Sequence, residues 1–193
     1  LITVSPGPDN LMVLGFGMSR GRVPGIVFGL GCALGCLSHT LLAVLGVSAL
    51  IAASPLAFGA LKIGGGLYLV WLGIQAWRSQ GQIRPVAEQG RGETLTQLFA
   101  KGLIANAINP KVVLFFLSFL PQFVITERGH LGWQTAQLGL VFTAQAAVLF
   151  GLLGYFSGSI GQRLQRHARL GLWLDRVAGT VFVALGIRLI VSR

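Results

Sequence analysis

VPGIVFGLGCALGCLSHTLLAVLGVSALIAASPLAFGAL (Val23–Leu61) runs for 39 residues without an Asp, Glu, Lys or Arg. As one helix it would be about 58 Å long, nearly twice the ~30 Å hydrocarbon core of a bilayer. It therefore holds one membrane span and the start of the next. Ser54-Pro55 is the break, because the residue before a proline leaves the α region. Working outward, the second span covers about 23–52 and the third about 57–77, closed by Arg78. Upstream, Leu1–Ser19 forms a first span interrupted by Pro6-Gly7-Pro8. Downstream, a polar loop at about 78–100 (Arg78, Arg84, Pro85, Glu88, Arg91, Glu93) precedes spans at about 101–120, 133–160 and 174–192. The expected fold is all-α: a polytopic membrane protein of about six transmembrane helices, residues 1–193 forming a single transmembrane domain.

Composition agrees. Charged residues make up 10% of the 193, against roughly 25% in ordinary soluble proteins, and apolar residues make up 53%. A soluble fold of this size needs more charge to cover its surface, and disordered chains are poor in apolar residues. The net charge of +10 does not indicate nucleic acid, because the cations flank apolar runs. Connectors after spans one, three and five carry ten Lys and Arg, the opposite side four, and Lys111 lies within span four. The richer side is expected to be cytoplasmic, with both termini outside. The chain opens at Leu1 without a basic n-region, so no signal peptide is expected there, and natural residues are expected to precede it.

The halves resemble each other. Gly66–Ile74 and Gly179–Ile187 both read G-x-x-x-V-x-L-G-I. Pro8-Asp9 in span one is matched by Pro110-Lys111 in span four. Repeat one is about 1–78 and repeat two about 101–193. Three spans per repeat turn the second copy upside down, giving an inverted 3+3 arrangement with a site at the broken helices.

Two polar clusters sit in the apolar belt. In Ser5-Pro6-Gly7-Pro8-Asp9-Asn10, two prolines remove backbone donors beside a carboxylate. Such backbone survives in lipid only against protein or a water-filled cavity, and a carboxylate at that depth marks function. The competing reading is a helix end capped by Asp9. In Asn106-Ala107-Ile108-Asn109-Pro110-Lys111, the two asparagines share a helix face and Pro110 frees a carbonyl near Asn106. Lys111 precedes fifteen uncharged residues, and Lys101 already marks the cytoplasmic end. That places Lys111 ~15 Å deeper, where snorkelling to headgroups is hard. Pro6, Pro8, Asp9, Asn10, Asn106, Asn109, Pro110 and Lys111 are the expected substrate and proton site.

PGPDNLMVL (Pro6–Leu14), Arg20-Gly21-x-x-x-Gly25, Ser54-Pro55 with Leu61-Lys62-x-x-Gly65, Tyr68-Leu69-x-x-Leu72-Gly73 and NPKVVLFFLSFLPQF (Asn109–Phe123) together resemble the LysE/RhtB amino-acid exporter family. The resemblance runs from Pro6 into the sixth span, and the start of helix one is where it departs. It implies a multi-pass protein of the bacterial inner membrane that exports amino acids such as lysine, threonine, homoserine or leucine on the proton gradient. The partners implied are an amino acid, protons and membrane lipids, with no cofactor. If the repeat is inverted, Asp9 and Lys111 are expected to approach one another: Asp9 would hold a substrate ammonium, Lys111 with Asn109 or the freed helix-end N–H groups would hold the carboxylate, and in the empty site the two charges would neutralise each other.

The remaining residues have plainer readings. Cys32 and Cys36 are i, i+4 on one helix, poor disulfide geometry, and read as packing. His39 is mid-span, either a proton relay or hydrogen-bonded to a neighbouring helix. No metal-ligand spacing is present, and no Ser/His/Asp or H-E-x-x-H pattern suggests an enzyme. Glycines at four-residue spacing allow close helix contact, within the chain or in a homodimer seam. Arg163, Arg166 and Arg169 suit anionic headgroups. The alternatives are export of another small metabolite or ion and, from another class, an intramembrane thiol reductase or other membrane enzyme.

Overall fold

The computed structural model describes residue 3 and residues 7–47, 54–79, 92–166 and 168–191. All regular structure among them is helical. Helix α1 (Pro8–Arg20) starts with proline in its first turn, where the missing N–H costs nothing. It ends at Gly21, whose φ of 95° favours glycine and turns the chain straight into α2 (Arg22–Leu42). Helix α2 continues through a π-turn, Ala43–Val47. Helix α3 (Pro55–Arg78) is capped by Ser54, whose hydroxyl accepts from the Ala57 N–H at 3.2 Å. Next come α4 (Leu95–Ala107), α5 (Pro110–Leu114) with a π-turn at Phe115–Phe119 and a 3-10 turn at Leu120–Phe123, then α6 (Leu131–Tyr155), α7 (Ser157–Arg166) and α8 (Ala168–Val191).

Two helical stretches of 25 residues, Arg22–Gly46 and Leu131–Tyr155, are long and apolar enough to cross a bilayer. Leu95–Ala107 with Pro110–Phe123, bent by 49°, makes a third if the pair is one span. Helices α3 and α8 have 24 residues each, about 36 Å at 1.5 Å per residue.

Several boundaries differ from the expected spans. Helix α4 begins at Leu95 rather than near 101, because Thr94 and Gln97 form a capping box that starts it early. Lys101 is therefore inside the helix and pairs with Glu93 at 3.1 Å. The helix in the region of the expected fifth span ends at Tyr155 rather than near 160, and α7 is a separate amphipathic segment. Helix α8 starts at Ala168, taking Arg169 into its first turns. Most of the polar loop (80–91) lies outside the described residues. The capping box gives a direct test. Thr94→Ala removes the acceptor for the Gln97 N–H and is expected to cost about 1 kcal/mol. Amide exchange in the first turn of α4 should then run roughly fivefold faster; unchanged exchange would assign the start of α4 to tertiary contacts alone.

Packing relies on small residues, as expected where lipid offers no hydrophobic drive between helices. Helices α1 and α2 form an antiparallel hairpin, with Gly25 against Gly17 and the Phe16 and Phe28 rings 5.0 Å apart. Helix α2 then lies between two neighbours. It runs parallel to α4, where Gly31 faces Phe99 and Leu103 and Gly102 faces Phe28. It runs antiparallel to α6, where Gly139 faces Thr40 and Gly154 faces Gly25 and Ile26. Helices α3 and α8 pack antiparallel on each other, Gly66 meeting Gly186 and Gly73 meeting Gly179. The core between these layers holds Val13, Phe16, Phe28, Leu98 and Phe116. Large apolar side chains such as Leu41, Val141, Val148 and Trp173 face outward, a surface suited to lipid rather than water.

Candidate functional site

The two proline breaks meet. Asp9 lies in the first turn of α1, Asn106 in the last turn of α4, and Asn109 caps α5. Asp9 is 5% exposed. Its carboxylate accepts from both asparagines: Asn106 Nδ2 donates at 2.7 Å and Asn109 Nδ2 at 3.0 Å. Each amide has its polarity set from the far side. Asn109 Oδ1 accepts the Lys111 N–H at 3.1 Å, which caps α5. Asn106 Oδ1 accepts from the Cys36 thiol at 3.5 Å. Turning the Asn109 amide over would put its NH2 against the Lys111 N–H, a donor against a donor.

Pro110 has no N–H to give to the carbonyl of Asn106, four residues earlier. That carbonyl lies 2.9 Å from His39 Nε2 and 2.9 Å from the Asn109 N–H. Because the partner is a carbonyl, His39 Nε2 is the donor. His39 Nδ1 is left buried with no hydrogen-bond partner among the described residues. The ring is 1% exposed and packs 5.6 Å from Phe116. The break in the α4–α5 helix thus ties His39 on α2 to Asp9 on α1 through one residue, Asn106.

Lys111 is 8% exposed. Its ammonium sits 5.0 Å from the centroid of the Phe182 ring on α8, a cation–π contact. The Asp9 carboxylate takes hydrogen bonds from Asn106 and Asn109 and also attracts the Lys111 ammonium electrostatically. Asp9 and Lys111 line one small cavity of about 20 Å3, with Thr3, Asn10, Asn106, Asn109 and Phe142 among its walls. Asn10 anchors the other break by donating to the Thr3 carbonyl at 2.9 Å.

A second cavity of about 700 Å3 lies on the other side of the breaks. Pro8, Asn10, Asn109, Pro110 and Lys111 form one of its walls, facing α3 and α8 across the space. Gly7, Asn10, Asn109 and Lys111 line both cavities, so the broken segments are the partition between them. The larger space falls within the 300–1,000 Å3 typical of small-molecule sites.

Seven of the eight expected site residues therefore stand at this junction, and Pro6 lies outside the described residues. His39 joins them. Phe182 and Asp175, which line the large cavity, were not picked out from sequence. Phe182 was hidden inside the repeat motif, where an aromatic residue reads as packing. Asp175 was a visible signal, a carboxylate seven residues into the last long apolar helix. Cys32 and Cys36 are both free and buried on α2.

Comparison with known proteins places this arrangement. The LysE type translocator family model matches residues 1–193. The chain is 31% identical to a threonine efflux protein of Escherichia coli K12 over 198 residues, covering 98% of this chain and 92% of that protein. It is 28% identical to a leucine efflux protein of Enterobacter sp. strain 638, covering 97% and 89%. An uncharacterized membrane protein of Pseudomonas aeruginosa is 31% identical, covering 97% and 89%. No solved structure matches. With its whole length matched and its broken helices converging on one buried carboxylate, the chain belongs to the LysE type translocator family.

Proposed function

We propose that this protein is a secondary active exporter of amino acids across the bacterial inner membrane, driven by the proton gradient. Six transmembrane helices in an inverted 3+3 repeat form the scaffold. The observation that carries the reading is the Asp9 carboxylate, held by Asn106 and Asn109 where two broken helices meet, in a cavity shared with Lys111. The threonine and leucine efflux proteins among its relatives supply the substrate class. The reciprocal contacts of Gly66 with Gly186 and Gly73 with Gly179 support the repeat, since a two-fold axis between α3 and α8 demands such pairing.

Each part of an amino acid then has a partner. The ammonium goes to Asp9 as a charge-assisted hydrogen bond, and the carboxylate goes to Lys111. A cation–π contact is worth only ~0.5–2 kcal/mol, so giving up the Phe182 ring is a small part of turning Lys111 toward a carboxylate. The large cavity is walled by Gln75 and Ser79 at the end of α3, Ile160 on α7, and Gly171 at the start of α8. These ends adjoin Arg78, Arg163 and Arg169, the side expected to be cytoplasmic. Loading from that side and release across the partition gives export. His39, linked through Asn106 to Asp9, carries the proton on Nδ1. The exposed Arg163 and Arg169 rest on anionic headgroups.

The test uses purified protein in proteoliposomes preloaded with a panel of radiolabelled amino acids, with an imposed proton gradient. At least one member is expected to leave faster with the gradient than without it. Lys111→Ala is expected to slow that efflux at least tenfold, the loss of about one charged hydrogen bond. Wild-type gradient-driven efflux from Lys111→Ala would sink the assignment of the carboxylate site. A panel that leaks no faster than from empty liposomes would sink the function itself.

A further inference from the structure

Among the described residues, the charged side chains lining the large cavity are Lys111, at the partition, and Asp175, on α8. Asp175 lies seven residues before Phe182 on α8, so the two share a face about 10 Å apart. Phe182 is the ring on which the Lys111 ammonium rests. Leu72, Leu174 and Phe182 supply apolar wall in the same cavity, and Gln75 and Tyr68 add polar atoms from α3. Asp175 is part-buried, and no hydrogen bond or ion pair engages its carboxylate among the described residues. A lone carboxylate between low-dielectric walls projects its field into the cavity instead of spending it on a neighbouring cation.

We propose that Asp175 is a specificity-determining residue that selects substrates by side-chain charge, favouring a basic side chain and rejecting an acidic one. The inference rests on the reading of this cavity as an amino-acid path. With the substrate carboxylate at Lys111, which lines the cavity at the partition, a long unbranched side chain extends along the Phe182–Leu174 wall. Its distal ammonium or guanidinium then meets Asp175. A neutral side chain finds the apolar wall alone, and an acidic one meets like charge in a confined space.

The experiment measures efflux of lysine, leucine and glutamate from proteoliposomes, at matched protein content, for the wild type, Asp175→Asn, Asp175→Glu and Asp175→Lys. The wild type is expected to export lysine well ahead of glutamate. Asp175→Asn should lower the lysine-to-leucine ratio about tenfold, Asp175→Glu should restore it, and Asp175→Lys should raise glutamate relative to lysine. A ratio unmoved in Asp175→Asn overturns the proposal, as does an equal fall for all three substrates, which marks a structural role. A wild type that exports leucine but no lysine also overturns it, and leaves the export reading standing. A wild type that moves none of these three, nor any other member of the wider amino-acid panel, overturns both.

Discussion

Asp9→Asn is expected to reduce efflux by two orders of magnitude while the protein still reaches the membrane. Two losses combine. In the proposed mechanism the substrate ammonium exchanges a carboxylate for a neutral amide, and hydrogen bonds to charged groups are worth ~1.5–3 kcal/mol, or roughly 10- to 150-fold. The new amide also turns an N–H toward Asn106 or Asn109, whose own N–H groups already point inward. The Asn109 amide cannot turn over freely, because its Oδ1 holds the Lys111 N–H, and turning Asn106 gives up the hydrogen bond from the Cys36 thiol. The unsatisfied donor costs a further ~1–3 kcal/mol of stability. Asp9→Glu keeps the charge but lengthens the side chain at a buried site, and should retain a measurable fraction of activity. The check is efflux from proteoliposomes, with growth on toxic amino-acid analogues as a second readout. Wild-type rates for Asp9→Asn would remove the carboxylate from the mechanism.

The second large effect is on folding. Gly31→Val should leave little folded protein in the membrane. A Cβ at Gly31 would run into the Phe99 carbonyl and reach within 3.0 Å of the Leu103 N–H, both backbone atoms of α4. Backbone gives way only if the whole helix shifts. Overpacking a tight core costs about 1–3 kcal/mol when side chains absorb it, and more when a helix must move. The displaced helix carries Asn106, so any surviving protein should also lose the Asn106 bonds to Asp9 and His39. The control is Gly151→Val on α6, where nothing lies within 4 Å of the added carbon; its yield after detergent extraction should match the wild type. Equal yields for the two variants would mean that α2 and α4 pack less tightly than described.

The class of molecule, the helical content and the two chemical breaks were legible in the residues alone. These depend on local facts: an uncharged run too long for one span, prolines that lack a donor, and polar groups stranded between apolar neighbours. Even the freed carbonyl near Asn106 could be counted along the chain, since the bond lost to proline has a set spacing. Helix ends were less legible. The Thr94–Gln97 box is a readable signal, but Arg163 and Arg169 looked like connector residues when they in fact belong to helices. An interfacial helix tolerates charge on one face.

Partner choice was decided by the tertiary structure. That His39 takes the Asn106 carbonyl, that Lys111 rests on Phe182, and that Asp175 shares its cavity all depend on how α2, α5 and α8 are rotated about their axes. Sequence periodicity gives each helix its faces. Which face meets which is set by where glycines let two backbones close, and that is a property of helix pairs rather than of any one stretch of chain.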